Sequence, residues 1–501
     1  MLFALAVETG RIGIDFGTHW DELAQLQLVG RSAKSGVLLP EIYNYPCVTY
    51  WLATSGVLPF MLDHPNQLFD HDTTDLRNYI TTNHAYKMRV RTICLIVSSL
   101  SIVWVYLLVL GWRGRVGEAF AAAAFLGLSW ELAYHSRWIA PDAVMTSFAA
   151  MTVMFAVLSR TRANGRPYLH GAAIAAGLAT GTKYQCGMLL LPVLIAAVQT
   201  WRPGKGFSAL LRPVAACLGL FVLTYSITTP GMWLDPGRFI KYFLLVVRHY
   251  QGGGHLGYDV APGPEHFGKL LAYFGRDFFS PYPIAGVVVG LLSLVGAWAI
   301  WRSSRSVAVV FLSFPVAFIA FMSTQRVLVV RNVLPIAPFV AVAAARGVTE
   351  VLRRIHRPAG RTVVIAAVAT ILCANAVWLG RAAYSIRRAT PDTALADLSN
   401  YVSKQPPQRI YASAPVLAGL RRLGLDTSRF ATSVAKAEDL AVYPDDWVDM
   451  ESRPCNIPGV LKTWFGPAEV NWTYYTSWMG FQHILLIPKS KAEALGHPFK
   501  G

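Results

Sequence analysis

Two adjacent carboxylates, Asp21 and Glu22, stand in the stretch GTHWDEL, just behind a short apolar opening. Neighbouring residues on any regular element point in different directions, so the two acids have different jobs. In one reading, one of them is a general base toward an incoming hydroxyl and the other holds the loop. The plainer reading is an acid pair at the head of a helix, favoured by the helix dipole.

Three further stretches carry charge where the surrounding sequence is apolar. AYHSRWIAPDAVM crowds His135, Arg137 and Asp142 into one short loop. A cation beside an acid suits an anionic ligand, and equally a loop whose Pro141 opens the next helix with Asp142 in its first turn. GLATGTKYQCG places Lys183 and Tyr184 inside otherwise apolar sequence. That lysine is either a phosphate ligand or a side chain reaching back to the membrane surface. RHYQGGGHLGYD offers His249 and His255 as donors to an anion on a glycine-rich loop that otherwise reads as a flexible lid. Arg331, opening RNVLPIAP, is one more cation.

The chemistry these residues suit is specific. A glycosidase pairs a general acid with a second carboxylate because its leaving alcohol must be protonated. A phosphate leaving group is a weak base and needs cations instead. One base plus a basic cradle therefore suits transfer from a phosphate-linked donor.

The elements that must position them are membrane spans. Of the 501 residues, 54% are hydrophobic and only 15% charged, with mean hydropathy +0.40, well below the ~25% charged residues of ordinary soluble domains. Apolar blocks fall at 92–111, 116–134, 140–158, 169–182, 186–200, 211–229, 283–301, 306–323, 332–346 and 362–380, with 1–8 as the end of another. The net charge of +17 lies in the short loops between them and forms no basic arm with interleaved aromatics, which excludes a nucleic-acid partner. The six cysteines show neither CxxC nor metal-ligand spacing; Cys47 and Cys455 alone lie in long polar regions, and nothing in the sequence pairs them. No cleavable signal peptide is visible, nor any internal repeat of the solenoid kind.

Arg113, Arg115, Arg160, Arg162, Arg166, Arg202, Lys205, Arg212, Arg302, Arg305, Arg346, Arg353, Arg354, Arg357 and Arg361 fall in one set of loops, while the alternate short loops carry only Arg137, Lys183, Arg326 and Arg331. The positive-inside rule makes the first set cytoplasmic. Lys87, Arg89 and Arg91 run against the trend and read as anchors of an interfacial segment. Residues 9–86, 135–141, 230–282 and 381–501 then share the outer face with every candidate site residue. The C-terminal region is polar, with a helical PDTALADLSNYVSK, strand-like RIYAS and HILLI, and a turn at YPDDW. The fold class expected is an all-α polytopic membrane protein of about 10–11 spans, residues 1–384, followed by a small extracytoplasmic α/β domain, 385–501.

These residues resemble the family 39-type glycosyltransferases of the GT-C fold, which include protein O-mannosyltransferases and the lipid A aminoarabinose transferase. The segment TGRIGIDFGTHWDELAQLQLVGRSAKSGVLLPEIYNYPCVTYWL is similar to the family's first outer loop. HSRWIAPDAVMTSF resembles its second outer loop, GLATGTKYQCGMLLLP the segment after it, and RNVLPIAPFVAVAAARG a late span. The similarity covers roughly residues 10–350; the family's first span would precede GRIGIDFG, where this sequence has MLFALAVET. The resemblance implies a multi-pass protein of the cytoplasmic (inner) membrane. It implies a polyprenyl-phosphate-linked sugar as donor, with Lys183 on the lipid phosphate, helped by Arg137, His135, His255 or Arg331. Asp21 would be the base in an inverting transfer to an acceptor hydroxyl on a lipid, glycan or protein. Glu22 or Asp142 would orient the acceptor or a cation. Some relatives use a divalent cation; the sequence establishes no metal and no other cofactor. The rival reading is a transporter or flippase of lipid-linked sugars, disfavoured because no repeat is evident and the charges lie at one rim. A catalytically inert scaffold displaying the C-terminal domain is a third.

The orientation is checked by topology reporters: a fusion at Lys205 should read cytoplasmic and one at Gly501 extracytoplasmic, and identical readings would overturn it.

Overall fold

The computed structural model describes residues 1–14, 19–63, 80, 84–201, 206–253, 259–388, 391–404, 409–412, 414–431, 439–442, 462–464 and 484–488. The chain divides into two compact units; Met1–Arg11, Asp21–Gly253 and Val260–Leu379 form the first, and the second is built mainly from Gly380 onward. The boundary therefore falls inside a long helix, a few residues before the 384/385 junction expected from composition.

The helices used below are, in order, α1 (Leu2–Arg11), α2 (Trp20–Ser35), α3 (Val48–Ser55), α4 (Leu58–Asp63), α5 (His84–Arg113), α6 (Val116–Gly127), α7 (Trp130–Ser136) and α8 (Pro141–Thr161). They continue with α9 (Arg166–Thr180), α10 (Leu190–Val198), α11 (Ser208–Thr228), α12 (Pro236–Gly252), α13 (Pro264–Ala272), α14 (Pro283–Ser303), α15 (Arg305–Ser323), α16 (Ala337–Arg354) and α17 (Pro358–Arg388). Proline at the first turn of α8, α12, α13, α14 and α16 marks their starts, where a missing N–H costs nothing.

Among the described residues, seven helices are long and apolar enough to cross a membrane. An eighth span results if α6 and α7, bent by 61°, count as one. The bend has a local cause: Ser129 leaves the helix in extended conformation (φ −68°, ψ 124°), and its hydroxyl donates to the Phe278 carbonyl at 2.8 Å. The apolar blocks at 169–182 and 186–200 are shorter helices, α9 and α10. Lys183 stands at the break between them in extended backbone (φ −152°, ψ 129°), ahead of a 3₁₀ turn, Tyr184–Leu189. This is a transmembrane helical bundle of the expected class.

Enclosure is uneven, and the difference bears on the site. The spans Pro141–Thr161 and Val330–Arg354 are 83% and 89% buried within the protein, whereas Ser208–Thr228 and Pro358–Tyr384 are 6% and 11% buried. The first two carry Asp142, Arg331 and Asn332. Charges in a bundle are tolerated where protein, not lipid, surrounds them.

Two segments are more regular than their sequence suggested. The stretch 230–282, read as a glycine-rich lid, holds α12 and α13; α12 ends at Gly253, whose φ of +72° is a conformation that favours glycine. The opening residues form α1, whose Gly10 faces Leu95 of α5.

In the second unit the helices α18 (Pro391–Lys404) and α19 (Ala414–Arg422) accompany five strands: β1 (Ile410–Ala412), β2 (Phe430–Ala431), β3 (Asp439–Val442), β4 (Lys462–Trp464) and β5 (Ile484–Pro488). Their order is β2-β1-β3-β5-β4, with β1 parallel to β2 and β3, and β5 antiparallel to β3 and β4. Leu395, Leu398 and Val402 of α18 pack with Ile410, Leu417, Leu420 and Phe430. The expected helix and both strands are present; the YPDDW turn and Cys455 lie outside the described residues.

Close packing of α14 on α16 generates the prediction here. A Cβ on Gly347 would lie 1.9 Å from the Leu292 carbonyl oxygen, and one on Gly296 1.7 Å from that of Ala343. Gly347→Ala should therefore lower the thermal midpoint in detergent, since overpacking costs about 1–3 kcal/mol. An unchanged midpoint would contradict this contact.

Candidate functional site

The two acids of GTHWDEL sit in the first turn of α2, and they part company there. Glu22 is buried. Its Oε1 accepts from Arg91 Nε at 2.7 Å and from the Ile139 amide at 3.1 Å; its Oε2 accepts from Arg91 Nη2 at 2.6 Å and lies 3.4 Å from Lys87 Nζ. This bidentate fork with two added donors fills both oxygens of the carboxylate. Arg91 is itself fully buried and lies over the Trp138 ring, 4.7 Å to the centroid. Lys87 and Arg91 are thus ion-pair partners of Glu22. The interfacial-anchor reading is corrected: α5 begins eight residues before the apolar block does, and that extension brings one face of it against Glu22.

Asp21 faces elsewhere and keeps some exposure. Its Oδ1 accepts from the Tyr45 hydroxyl at 3.3 Å, and Arg331 Nη2 lies 3.3 Å from its Oδ2. Desolvation, then the neighbouring Asp21 charge, push the Tyr45 phenol well above its usual range, so it remains a proton donor to that carboxylate.

A second cluster forms around Asp142, which is fully buried in the first turn of α8. Lys183 Nζ donates to Asp142 Oδ1 at 2.6 Å and also to Asn332 Oδ1; Arg331 Nε lies 3.6 Å from Asp142 Oδ2. Asn332 in turn donates to the Tyr250 hydroxyl at 2.9 Å, and Lys183 stands 5.6 Å from the centroid of the Tyr45 ring. Arg331 and Asn332 lie on a 3₁₀ turn, Val330–Ile336, that contains Pro335 and leads into α16. Arg331 bridges the clusters, touching both Asp21 and Asp142. The Glu22 bond to Ile139 ties the first cluster to the loop that leads into α8, where Asp142 follows three residues later.

Asp21, Asp142, Lys183 and Arg331 are therefore brought together, from segments up to 310 positions apart in numbering. Two other candidates lie beside them in different company. His135 pairs with Glu131 on α7, Nε2 to Oε2 3.3 Å, both buried. Arg137, also buried, lies over Trp138 at 5.5 Å. His249 is exposed near the end of α12, and the adjacent Tyr250 is the residue that reaches the site. His255 lies outside the described residues.

Arg91, Tyr45, Asn332 and Tyr250 line the site and were not named as site residues from sequence. Arg91 had a signal, since it broke the charge trend. Asn332 adjoins Arg331, and Tyr45 lies in the YNYP stretch. Tyr250 had none.

The donor set does not fit a divalent metal. Both oxygens of Asp142 and Oδ2 of Asp21 already face Lys183 or Arg331. Among the described residues, no group of three or more His, Cys, Asp or Glu side chains could hold an ion.

Over 97% of both chains the fold matches the crystal structure of ArnT from Cupriavidus metallidurans bound to undecaprenyl phosphate, with TM-score 0.53 and 13% identity. It also matches the archaeal oligosaccharyltransferase AglB from Archaeoglobus fulgidus, in complex with an inhibitory peptide and a dolichol-phosphate, with TM-score 0.50 and 12% identity over 89% of this chain and 69% of that one. The chain thus has the GT-C fold of membrane glycosyltransferases. Residues 77–236 match the family described as dolichyl-phosphate-mannose-protein mannosyltransferase. No curated protein matches the sequence.

The Glu22–Arg91 pair yields a stability test. Arg91→Met leaves a buried carboxylate short of its main partner and should cost about 3–5 kcal/mol, while the double variant Glu22→Leu/Arg91→Met should recover most of it. Thermal unfolding in detergent measures both; a single variant as stable as wild type would remove the pair from the account.

Proposed function

We propose that this chain is a membrane glycosyltransferase that moves a sugar from a polyprenyl-phosphate donor to an acceptor hydroxyl, inverting the anomeric centre. The reaction would run at the outer face of the cytoplasmic membrane. The observation that carries the proposal is Arg331, shared between the slightly exposed Asp21 and the buried Asp142–Lys183 pair. Support comes from the matched mannosyltransferase-family segment and from a fold whose solved examples hold lipid phosphates.

In this reading Asp21 takes the acceptor proton. The freed oxygen attacks the anomeric carbon as the bond from that carbon to the phosphate oxygen breaks, and polyprenyl phosphate leaves. Lys183 and Arg331 receive the charge that develops on the leaving phosphate. Asp142 and Asn332 aim the lysine; Glu22 holds α2, and with it Asp21, through Arg91. The proton transfer does more than activate the nucleophile. Asp21, Asp142, Lys183 and Arg331 together are neutral. Protonating Asp21 releases Arg331 from one carboxylate and leaves a net positive pair facing the phosphate at the moment it departs. No step is routed through a divalent cation, because among the described residues the carboxylates of the site already face cations. A transporter would need no such base, and the clustering of these charges at one end of the bundle favours chemistry over transport.

The test is transfer from a panel of radiolabelled polyprenyl-phosphate sugars by purified protein, with labelled membrane products identified. Asp21→Asn should reduce transfer by at least about 10²-fold, the usual worth of a general base, while the protein stays folded and inserted. Full activity in Asp21→Asn would remove it as the base, and no transfer from any donor by wild type would sink the enzyme reading.

A further inference from the structure

The end of the bundle opposite the site carries a second charged assembly that the reaction does not use. Glu118 of α6 and Glu350 of α16 are buried carboxylates, their side chains 3% exposed, ringed by arginines. Arg113 Nε lies 3.8 Å from Glu118, and Arg346 lies between the two acids, 4.0 Å from Glu118 and 3.9 Å from Glu350. Glu350 also accepts from Arg353 at 2.9 Å and from Arg354 at 3.0 Å. The acids point inward, while the side chains of Arg353 and Arg354 are more than half exposed, so the outward face is positive.

Trp298 of α14 organises that face. The Arg354 guanidinium lies 4.7 Å from its ring centroid and the Arg302 guanidinium 4.9 Å. Two like charges thus share one exposed indole. Arg302 sits at the last turn of α14, and the carboxylates of this assembly pair with the other arginines. Directly along the same helix, Leu291, Leu294, Trp298 and Trp301 are all exposed at spacings of three, four and three residues. Residues so spaced form one continuous stripe. A cationic, donor-rich cap therefore ends an apolar stripe of bilayer orientation, with a tryptophan at the junction, where indole side chains prefer to lie.

We propose that this is a binding site for a two-chain anionic phospholipid in the leaflet facing the basic end of the bundle. The phosphate diester seats between Arg302 and Arg354 against Trp298, and an acyl chain runs along Leu294 and Leu291. Guanidinium groups match phosphate with paired N–H donors, and the lipid supplies a negative charge that no described carboxylate gives Arg302. By the charge asymmetry of the loops this is the cytoplasmic leaflet. The site is independent of the catalytic reading, since none of its residues touches Asp21, Asp142, Lys183 or Arg331 in the contacts described above.

The test is native mass spectrometry of the full-length protein in detergent, exchanged against equimolar phosphatidylglycerol and phosphatidylcholine. Wild type should retain phosphatidylglycerol preferentially. Arg302→Gln and Trp298→Leu, both exposed positions, should each reduce that preference by about fivefold, the worth of one basic contact at a membrane surface. Arg162→Gln, an exposed arginine elsewhere on the same rim, should leave it unchanged. Equal retention of the two lipids, an equal loss in Arg162→Gln, or displacement of phosphatidylglycerol by undecaprenyl phosphate would each overturn the proposal.

Discussion

A carboxylate buried at the edge of a helix bundle must be matched by cations, and Asp142 is matched by two. Lys183 and Arg331 reach it from different segments, the first from the break between α9 and α10 and the second from a 3₁₀ turn before α16. Burying one charge alone costs several kcal/mol, so this trio holds three parts of the chain in register. It also leaves the two cations poised beside an accessible acid. Among the described spans, the two most enclosed carry Asp142 and Arg331, which keeps the local dielectric low and the electrostatics strong.

The division of labour between Asp21 and Glu22 follows from one turn of helix. Glu22 turns inward and is filled by Arg91, Lys87 and a backbone amide; Asp21 turns toward Tyr45 and Arg331 and stays partly accessible. One acid is therefore architectural and the other is available for proton transfer. The plain reading of the pair as a helix start also holds, since both residues lie in the first turn of α2, where the dipole favours them. The two readings describe the same residues at different levels.

The spans were legible because runs of about 20 largely apolar residues admit few other structures, and α18 was legible because its start and its apolar period agree. Asp142, Lys183 and Arg331 stood out because each broke a local pattern of charge. What the sequence could not show is which partners meet. Arg91 and Glu22 are 69 positions apart, Lys183 and Asn332 149, and no periodicity spans such distances. The same limit hid the partner of His135, which pairs one helical turn back with Glu131. The helix α12 was missed because its glycine-rich end suggested a loop, and Tyr250 was missed with it.

The central claim is that protonation of Asp21 hands Arg331 and Lys183 to the departing phosphate. Binding of sugar-free polyprenyl phosphate tests it most directly, because that ligand needs the cations and not the base. Asp21→Asn, a neutral stand-in for the protonated acid, should bind it at least as tightly as wild type. Lys183→Met should bind it at least about tenfold more weakly, the loss expected for one charge-assisted hydrogen bond. Lost affinity in Asp21→Asn, or undiminished affinity in Lys183→Met, would contradict the account.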